Sequence, residues 1–457
     1  GGNTFTPPNW PAFTIEAQRG NTLNVTYDNQ LSGETYDKVG MVVDQTLHWA
    51  DPLMTHHSMD PYAGEPPAVV HLHGGEVASQ YDGGPDSWFT PGNAIKGPAW
   101  DFGVTNNYAY LNTQEAATLW YHDHALGVTR LNVYAGMAGY YFLRGPDEET
   151  KMLPGWSGDN KVQQIDRVTG QPVGAAYLPE IEIAIQDRMF DTNGKLYFPN
   201  LPTNPMIHPF WTPEFVGNII TVNGKTWPYL SVAPRKYRFR ILNGSNARTY
   251  ELWLQNLATG TFGPNINQIG TDGGLLDAPV VINPALGGKL ILMPGERADV
   301  VIDFSTSPAG TVWTIRNSGR TPYPNGAPPT GSTLGRIMQF VVNGQLQGAD
   351  NSQLPATLRA TPLVKLTNFA GGLTVTPDKK RQLTLNEVMG MGGPLEVLVN
   401  NTKWDGNGPL PGLGVTETPT EGTSEVWQII NLTADAHPIH LHLVQFQLVS
   451  RQQFNKN

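Results

Sequence analysis

The sequence predicts an all-β protein, and three observations support this fold class. The 457 residues include 50 glycines and 38 prolines, whereas charged residues make up only 15% of the chain. This composition is rich in turn formers and poor in the residues typical of helical proteins. Short runs with a two-residue hydrophobic period recur between the turns, and the sequence contains no long helical period. At roughly 150 residues per domain, the length predicts about three domains.

Residues 1–145 form the first predicted domain, a β-sandwich or barrel of short strands. Two of its strands run into histidine-rich ends, because Ala68-Val-Val-His-Leu-His precedes a Gly-Gly turn and Thr118-Leu-Trp-Tyr precedes His-Asp-His. Its other predicted strands are Phe13–Ala17, Thr22–Tyr27 and Met137–Arg144.

The second predicted domain covers residues 180–342. Residues 146–179 before it are polar and rich in glycine and proline, which predicts a linker with an exposed insertion. Residues 343–361 after it form a second polar linker. The strands of this domain are expected within Glu180–Arg188, Tyr237–Asn243 and Leu290–Phe304.

The third predicted domain, residues 362–457, is short for its fold. Strands are expected at Gln382–Leu385, Glu396–Val399 and Glu425–Asn431, followed by one long strand at Ile439–Val449. Only a polar octapeptide follows that strand in the sequence, so we expect this domain to lack its closing strands.

The overall charge excludes two classes of partner. The chain has 29 basic and 39 acidic residues, so its formal net charge is −10. Proteins that bind nucleic acids or anionic membranes usually carry basic patches instead. No apolar run reaches the ~18 residues of a membrane span. The first eight residues carry no leader pattern, which leaves export open. The absence of cysteine excludes disulfide and thiolate chemistry within these residues.

Seven of the eleven histidines fall in three short motifs. They are His71-Leu-His73, His122-Asp-His124 and His437-Pro-Ile-His440-Leu-His442. Residues i and i+2 of a strand point to the same face, so each His-x-His pair presents two imidazoles side by side. Imidazole binds copper, zinc, iron and nickel. One such pair is often an ordinary polar position, but three pairs together predict a metal centre, and seven histidines exceed the four ligands of one zinc ion.

The three motifs resemble those of the multicopper oxidases, which are built of three Greek-key cupredoxin domains. The closest resemblance is to the bacterial subgroup of spore-coat laccase, bilirubin oxidase and phenoxazinone synthase. It extends beyond the histidines to three segments of the second domain and one of the third. These are Val222-Asn-Gly-Lys-Thr-Trp-Pro-Tyr-Leu, Pro234-Arg-Lys-Tyr-Arg-Phe-Arg-Ile-Leu-Asn-Gly-Ser-Asn-Ala-Arg, Ile269-Gly-Thr-Asp-Gly-Gly-Leu-Leu and Val399-Asn-Asn-Thr-Lys-Trp.

The resemblance implies a role for each histidine. His71 and His440 would ligate a type 2 copper, and His437 a type 1 copper that accepts electrons. The binuclear type 3 pair would be ligated by His73, His122, His124 and His442. Asp82 matches an acidic residue thought to relay protons toward bound dioxygen, a task that suits a carboxylate near metal ions. The alternative interpretation of Asp82 is an ordinary Asp-Gly turn.

The sequence departs from the family at its C-terminal side. The family continues with a His-Cys-His strand, a further histidine and usually a methionine, which complete the type 1 site and supply the last type 3 ligands. No residue of this chain supplies the type 1 cysteine, and no histidine follows His442. Three explanations are open: a separate C-terminal fragment docks into the third domain, the segment was removed or left out, or the protein has lost activity. We favour the first two, because a third domain without its last strands would expose a sheet edge.

The resemblance implies a copper-dependent oxidase that takes single electrons from phenolic or aromatic amine donors and reduces dioxygen to water. The alternative is a copper-binding or coat protein that keeps the fold without catalysis. A zinc hydrolase using one histidine pair would leave the other pairs unexplained. The resemblance also favours an extracytoplasmic, secreted or spore-coat location over a cytoplasmic one. The sequence does not fix the electron donor.

Overall fold

The first sheets of the chain create the face on which four of the motif histidines lie. The structure is a computed structural model that describes residues 10–368, 370–404 and 415–453. Residues 1–9 lie outside the described part. In the first region the strands are β1 (Ala12–Gln18), β2 (Leu23–Thr26), β3 (Val70–His73), β4 (Asn107–Tyr110), β5 (Ala117–Asp123) and β6 (Ala138–Arg144).

Strands β1, β6, β5 and β3 form one sheet in that order, and β2 pairs with β4 in a second. Apolar side chains of both sheets pack between them, including Leu72, Leu119 and Tyr141. Because side chains alternate across a strand, the histidines of β3 and β5 point to the opposite side of the larger sheet. Helix α1 (Thr129–Ala135) follows β5 and returns the chain to β6. Five of these strands correspond to the predicted ones, so the all-β prediction is confirmed here.

The segment predicted as a linker between the first two regions has structure of its own. Residues 146–179 contain helix α2 (Pro146–Thr150) and the strands β7 (Val162–Ile165) and β8 (Pro172–Tyr177). Val162 is fully buried in the core of the second region. The sequence of residues 146–179 is polar because most of β8 is exposed. The few buried positions that attach the segment to the second region are therefore not apparent from its composition.

The second region is a two-sheet sandwich. Its seven-stranded sheet has the order β11-β10-β9-β13-β18-β15-β16, and its five-stranded sheet the order β12-β20-β19-β14-β17. A large apolar core that includes Phe239, Leu252 and Phe340 fills the space between the sheets. The strands are β9 (Glu180–Arg188), β10 (Ile219–Val222), β11 (Lys225–Thr226), β12 (Tyr229–Val232), β13 (Lys236–Asn243), β14 (Tyr250–Gln255), β15 (Ile266–Thr271), β16 (Gly274–Ile282), β17 (Leu290–Leu292), β18 (Arg297–Asp303), β19 (Val312–Asn317) and β20 (Arg336–Val342).

A short strand β21 (Gln345–Leu346) then pairs with β7, and the described residues of the third region form three strands. They are β22 (Lys379–Gly390), β23 (Gly393–Val399) and β24 (Glu425–Asn431), in the order β23-β22-β24. Many apolar side chains of this sheet are exposed, such as Val397 at 63%. The third region therefore has less of a core than the other two.

The long strand predicted at Ile439–Val449 is wrong, because the structure has no strand there. A strand needs a neighbour to pair with, and the described part of the chain offers this segment no such partner. The alternation of apolar residues in 439–449 is typical of a strand, but a strand also needs a neighbouring strand that accepts and donates its backbone hydrogen bonds. In addition, no helix in the described residues combines the length and apolar character of a membrane span.

Candidate metal centre

Strand pairing brings the first two histidine motifs together. In the register of β3 and β5, His71 lies directly opposite His122. The His73 Nδ1 and His122 Nε2 atoms are 3.2 Å apart. His71, His73 and His122 are all buried, and their ligand-capable nitrogen atoms lie within 4.8 Å of one another. The spacing needed for one metal ion is therefore built into a rigid sheet.

The third motif approaches from the far end of the sequence. The His440 ring stacks on His73 with the ring centroids 3.6 Å apart, and the His442 ring stacks on His71 at 4.0 Å. His71, His440 and His442 form a second group whose nitrogen atoms lie within 4.8 Å. His71 belongs to both groups, so these five imidazoles form one continuous site rather than two separate ones.

His124 completes this cluster from just beyond the end of β5. Its ring centroid lies 5.2 Å from those of His71 and His442. His124 Nδ1 and His71 Nε2 are buried and have no hydrogen-bond partner. A buried polar atom without a partner is costly unless something binds it, so these two nitrogen atoms fit a metal-binding role.

Side-chain amides hold the third motif in place where a strand ladder does not. The Gln447 amide donates to the Val364 carbonyl at 2.6 Å and accepts from the Leu366 N–H at 2.8 Å. The backbone N–H of Ala436 donates to the Tyr323 carbonyl at 2.9 Å. These contacts anchor residues 436–447 to the second region and to the segment before β22. His440 and His442 can therefore lie near each other, with ring centroids 4.8 Å apart, without belonging to a sheet.

Burial keeps the imidazoles neutral. Desolvation, followed by the positive charge of Arg297 and the neighbouring imidazoles, lowers the pKa of His73 well below its ordinary value. Burial likewise lowers the pKa of His122 strongly and that of His124 to about 3. Partial burial and the surrounding imidazoles lower the pKa of His440 to about 3. At neutral pH these four rings thus each have a lone pair available for a metal ion.

Asp82 bridges two of the motifs. Its backbone carbonyl accepts a hydrogen bond from His71 Nδ1 at 2.7 Å, and its Oδ2 atom accepts one from His442 Nδ1 at 2.8 Å. Burial raises the pKa of Asp82, but the bonds from His442 and His71 together outweigh this and hold that pKa well below its usual range. Asp82 also precedes a tight turn, because Gly83 has φ 67° and a Cβ there would lie 1.8 Å from the Val70 carbonyl oxygen. Asp82 therefore both begins an Asp-Gly turn and contacts His71 and His442.

His437 stands apart from the six-histidine cluster. Its Nε2 atom lies 2.6 Å from the Thr433 hydroxyl. Two residues before it, Asp435 faces Glu214, and burial followed by this neighbouring carboxyl raises the pKa of Glu214 to about 7. Among the described residues, His437 belongs to no group of three or more metal-capable side chains.

The second region contributes two residues that the sequence analysis missed. A Cβ added to Gly295, which has φ 85°, would lie 3.3 Å from His73 Cε1. Arg297 is almost fully buried and donates from Nε to the Thr118 carbonyl of β5 at 2.9 Å. Both lie in the run Met293-Pro-Gly-Glu-Arg297. The Pro-Gly pair in this run predicts a turn, and the local sequence does not indicate that the turn contacts His73. Their proximity to His73 depends on how the two regions pack.

Comparisons with known proteins agree with one another. The family model described as multicopper oxidase matches residues 387–457. A laccase of Bacillus stratosphericus is 38% identical over 450 residues, which cover 97% of this chain and 75% of that protein. A laccase of Bacillus subtilis is 36% identical over 98% of this chain and 75% of its own length. The crystal structure of the McoA multicopper oxidase from Aquifex aeolicus matches 95% of this chain and 75% of its own, with a TM-score of 0.64 and 24% sequence identity.

Proposed function

This chain belongs to the multicopper oxidase family, and we propose that it is an oxidase that takes single electrons from phenolic or aromatic amine donors and reduces dioxygen to water. Copper dependence and the use of dioxygen follow from the family. The donor class is the specific part of the proposal, and the resemblance to laccases supports it. The single observation that carries the function is the convergence of six imidazoles from three motifs that lie near opposite ends of the sequence.

We assign the copper ligands as the motifs indicate. His71 and His440 would hold the type 2 copper, and His437 would belong to the type 1 centre. The type 3 pair would be held by His73, His122, His124 and His442. When bound, the copper ions would accept the donor's electrons and pass them to dioxygen. Binding of His71 through Nε2 is supported by its Nδ1 hydrogen bond to Asp82, which leaves the buried Nε2 atom free.

Asp82 is the residue that we propose moves protons. Reduction of dioxygen to water consumes protons beside the cluster, and a carboxylate within reach can exchange them. The Asp82 Oδ2 atom contacts the His442 ring, and its buried Oδ1 atom lies 3.4 Å from His71 Nδ1. The second oxygen is therefore able to take up a proton without breaking the bond to His442.

The third region supports a further C-terminal segment as a partner. Exposed apolar residues cover the third-region sheet and the motif after it: Val388, Val397, Val399, Leu443, Val444, Phe446 and Leu448. We propose that a segment carrying a cysteine and further histidines, as part of the same polypeptide or as a separate fragment, covers this surface and completes the type 1 centre. Soft sulfur and imidazole are the ligands that such a centre requires. The Bacillus laccases, of which this chain spans about three quarters, support the same proposal.

Copper binding tests the cluster. The chain loaded with Cu(II) should bind copper through His71, so His71→Ala should lower the copper-to-protein ratio and change the electron paramagnetic resonance spectrum. His56→Ala, an exposed histidine outside the motifs, is the matched control and should leave both unchanged. Equal copper content in wild type and His71→Ala would contradict the assignment.

Colour and turnover test the oxidase. Protein that contains the proposed cysteine-bearing segment should be blue and should consume dioxygen when a phenol is added. A colourless, copper-loaded and inactive protein would instead support the non-catalytic copper-binding or coat protein. Intact-mass measurement under denaturing conditions identifies which polypeptides are present in the sample.

We also propose an extracytoplasmic location, secreted or in a spore coat. This rests on the resemblance to spore-coat laccases alone. Fractionation of the native host with an antibody to this chain tests it, and recovery in the cytoplasm only would contradict it.

A further inference from the structure

A buried carboxylate between two of the histidines has no assigned role. Asp123 separates His122 from His124 and is only 2% exposed. Its side chain points away from the cluster, because alternate residues of β5 face opposite sides of the sheet. Carboxylates are rarely buried to this extent unless donors surround them.

The Asp123 side chain connects the two histidine-bearing strands. Its Oδ1 atom accepts from the Val69 N–H at 3.0 Å, directly before β3. Its Oδ2 atom accepts from the Ala125 N–H at 3.1 Å, directly after His124. The backbone of His124 also bonds to Val69, from N–H to carbonyl, at 2.9 Å. One carboxylate thus holds together the chain segments that begin and end the two motifs.

Helix α1 supports this carboxylate from behind. The Asn132 Nδ2 atom donates to the Pro67 carbonyl at 3.0 Å, and the Asn132 amide lies close enough to Asp123 to offset part of the rise in its pKa that burial causes. The Tyr36 hydroxyl donates to Asn132 Oδ1 at 2.9 Å. Asn132 and Tyr36 are both buried. Asn132 and Tyr36 therefore fix the backbone just before β3, next to the Asp123 carboxylate.

The main chain of Asp123 acts on the cluster itself. Its carbonyl accepts a hydrogen bond from His122 Nδ1 at 2.7 Å. This bond fixes the ring orientation and leaves His122 Nε2 on the side of His73. Partners of this kind set the tautomer and direction of a metal-binding histidine.

We propose that Asp123, supported by Asn132, is the positioning residue that sets the geometry of the four first-region histidines for metal binding. The inference rests on the proposed copper cluster and deepens it. Asp123 does not contact a metal ion in this scheme. It acts through the backbone on both sides of the motifs, so its loss should change how copper is bound and not only how stable the fold is.

The test compares Asp123→Asn with a control of equal structural cost. The amide would place an N–H group against the backbone N–H of Val69 or Ala125, so one bond is lost and two donors face each other. The control is Asn29→Ser, because Asn29 is also buried and donates to the Pro66 and Phe89 carbonyls at 3.0 Å each, and neither bond involves a residue of the histidine motifs. Both substitutions should lower the melting temperature of the copper-free chain.

Copper binding distinguishes Asp123→Asn from Asn29→Ser. Measured by competition with a chromophoric chelator, Asp123→Asn should raise the Kd for Cu(II) by about 10- to 100-fold and alter the paramagnetic resonance spectrum. Asn29→Ser should leave both as in wild type. If Asp123→Asn does not fold, Asn132→Leu, which removes the support but keeps the carboxylate, should raise the Kd by about 10-fold.

Two results would overturn the proposal, and they differ from a failure of the proposed function. A folded Asp123→Asn chain with wild-type copper affinity and spectrum would show that Asp123 contributes to folding alone. So would an Asn132→Leu chain that matches Asn29→Ser in Kd when Asp123→Asn does not fold. If the wild-type chain itself binds no copper, the proposed cluster fails before this residue is tested.

Discussion

Asp82 Oδ2 accepts a hydrogen bond of 2.8 Å from Nδ1 of His442, a residue 360 positions later in the sequence. The contact joins the loop after β3 to the C-terminal histidine motif. It fixes which nitrogen of His442 faces the carboxylate, so the other nitrogen faces the cluster. A group that is tied to two of the motifs is well placed to exchange protons there.

Replacement of Asp82 by asparagine should separate proton supply from copper binding. The amide oxygen can still accept from His442 Nδ1, so copper content should stay close to wild type. Asparagine neither takes up nor releases a proton, so dioxygen consumption by the complete copper-loaded oxidase should fall by about 10²-fold. Anaerobic bleaching of the blue centre by the donor should keep its rate, since electron entry does not use this residue.

The control for this prediction is Glu76→Gln in the same loop. Glu76 is an exposed carboxylate three residues after His73, and its substitution should leave turnover unchanged. Wild-type turnover in Asp82→Asn would show that protons reach the cluster by another route.

The second prediction concerns Gly295, which lies in the second region and packs close to His73. Alanine at this position has two costs: the left-handed backbone, with φ 85°, and a Cβ only 3.3 Å from His73 Cε1. The first cost is about 1 kcal/mol of unfolding free energy. The second should displace the His73 ring and change the spectrum and affinity of bound copper.

Gly310→Ala isolates the first cost. Gly310 has φ 84°, nearly the same backbone conformation, but a Cβ there would meet nothing within 4 Å. Urea unfolding of the copper-free chains should give similar losses for the two substitutions. Copper binding should change in Gly295→Ala alone, and an unchanged copper spectrum there would mean that the second region does not constrain His73.

The strands that carry the first two motifs could be predicted because the information is local. His71 and His73 alternate with apolar residues, and a Gly-Gly turn ends the run, so period and turn chemistry agree. The all-β class follows from many such runs. The same reasoning was wrong for 439–449, where alternation is present and a pairing strand is not.

The contacts that complete the centre could not be predicted because they join distant segments. Nothing near Gly295 in the sequence indicates that His73 packs against it. Asn132 lies on a helix, and its proximity to Asp123 depends on the direction in which α1 returns to the sheet. Hydrogen bonds of this kind depend on tertiary packing, about which the local pattern carries no information.

A buried cluster of charges between the first two regions yields a prediction about acid stability. Glu148 of α2 forms ion pairs with Arg238, at 2.9 Å, and with Arg240 of β13. Burial raises the pKa of Glu148, but Arg238, Arg240 and Arg144 together outweigh it and lower that pKa from 4.5 to about 2. Because the folded-state pKa is depressed, the ionised carboxylate stabilises the fold above pH 4.5, and this stabilisation is lost as the pH falls toward 2.

Glu148→Gln should therefore destabilise the copper-free chain in a pH-dependent way. At neutral pH the unfolding free energy in urea should fall by about 3 kcal/mol, because two buried guanidinium groups lose a charged partner. The difference between wild type and variant should shrink steadily as the pH is lowered from about 5 toward 2, since protonation removes the same charge from the wild type. Glu149→Gln, an exposed neighbour on the same helix, should cost less than about 0.5 kcal/mol at every pH. A difference between wild type and Glu148→Gln that stays constant with pH would mean that packing of the side chain, and not its charge, holds α2 against the second region.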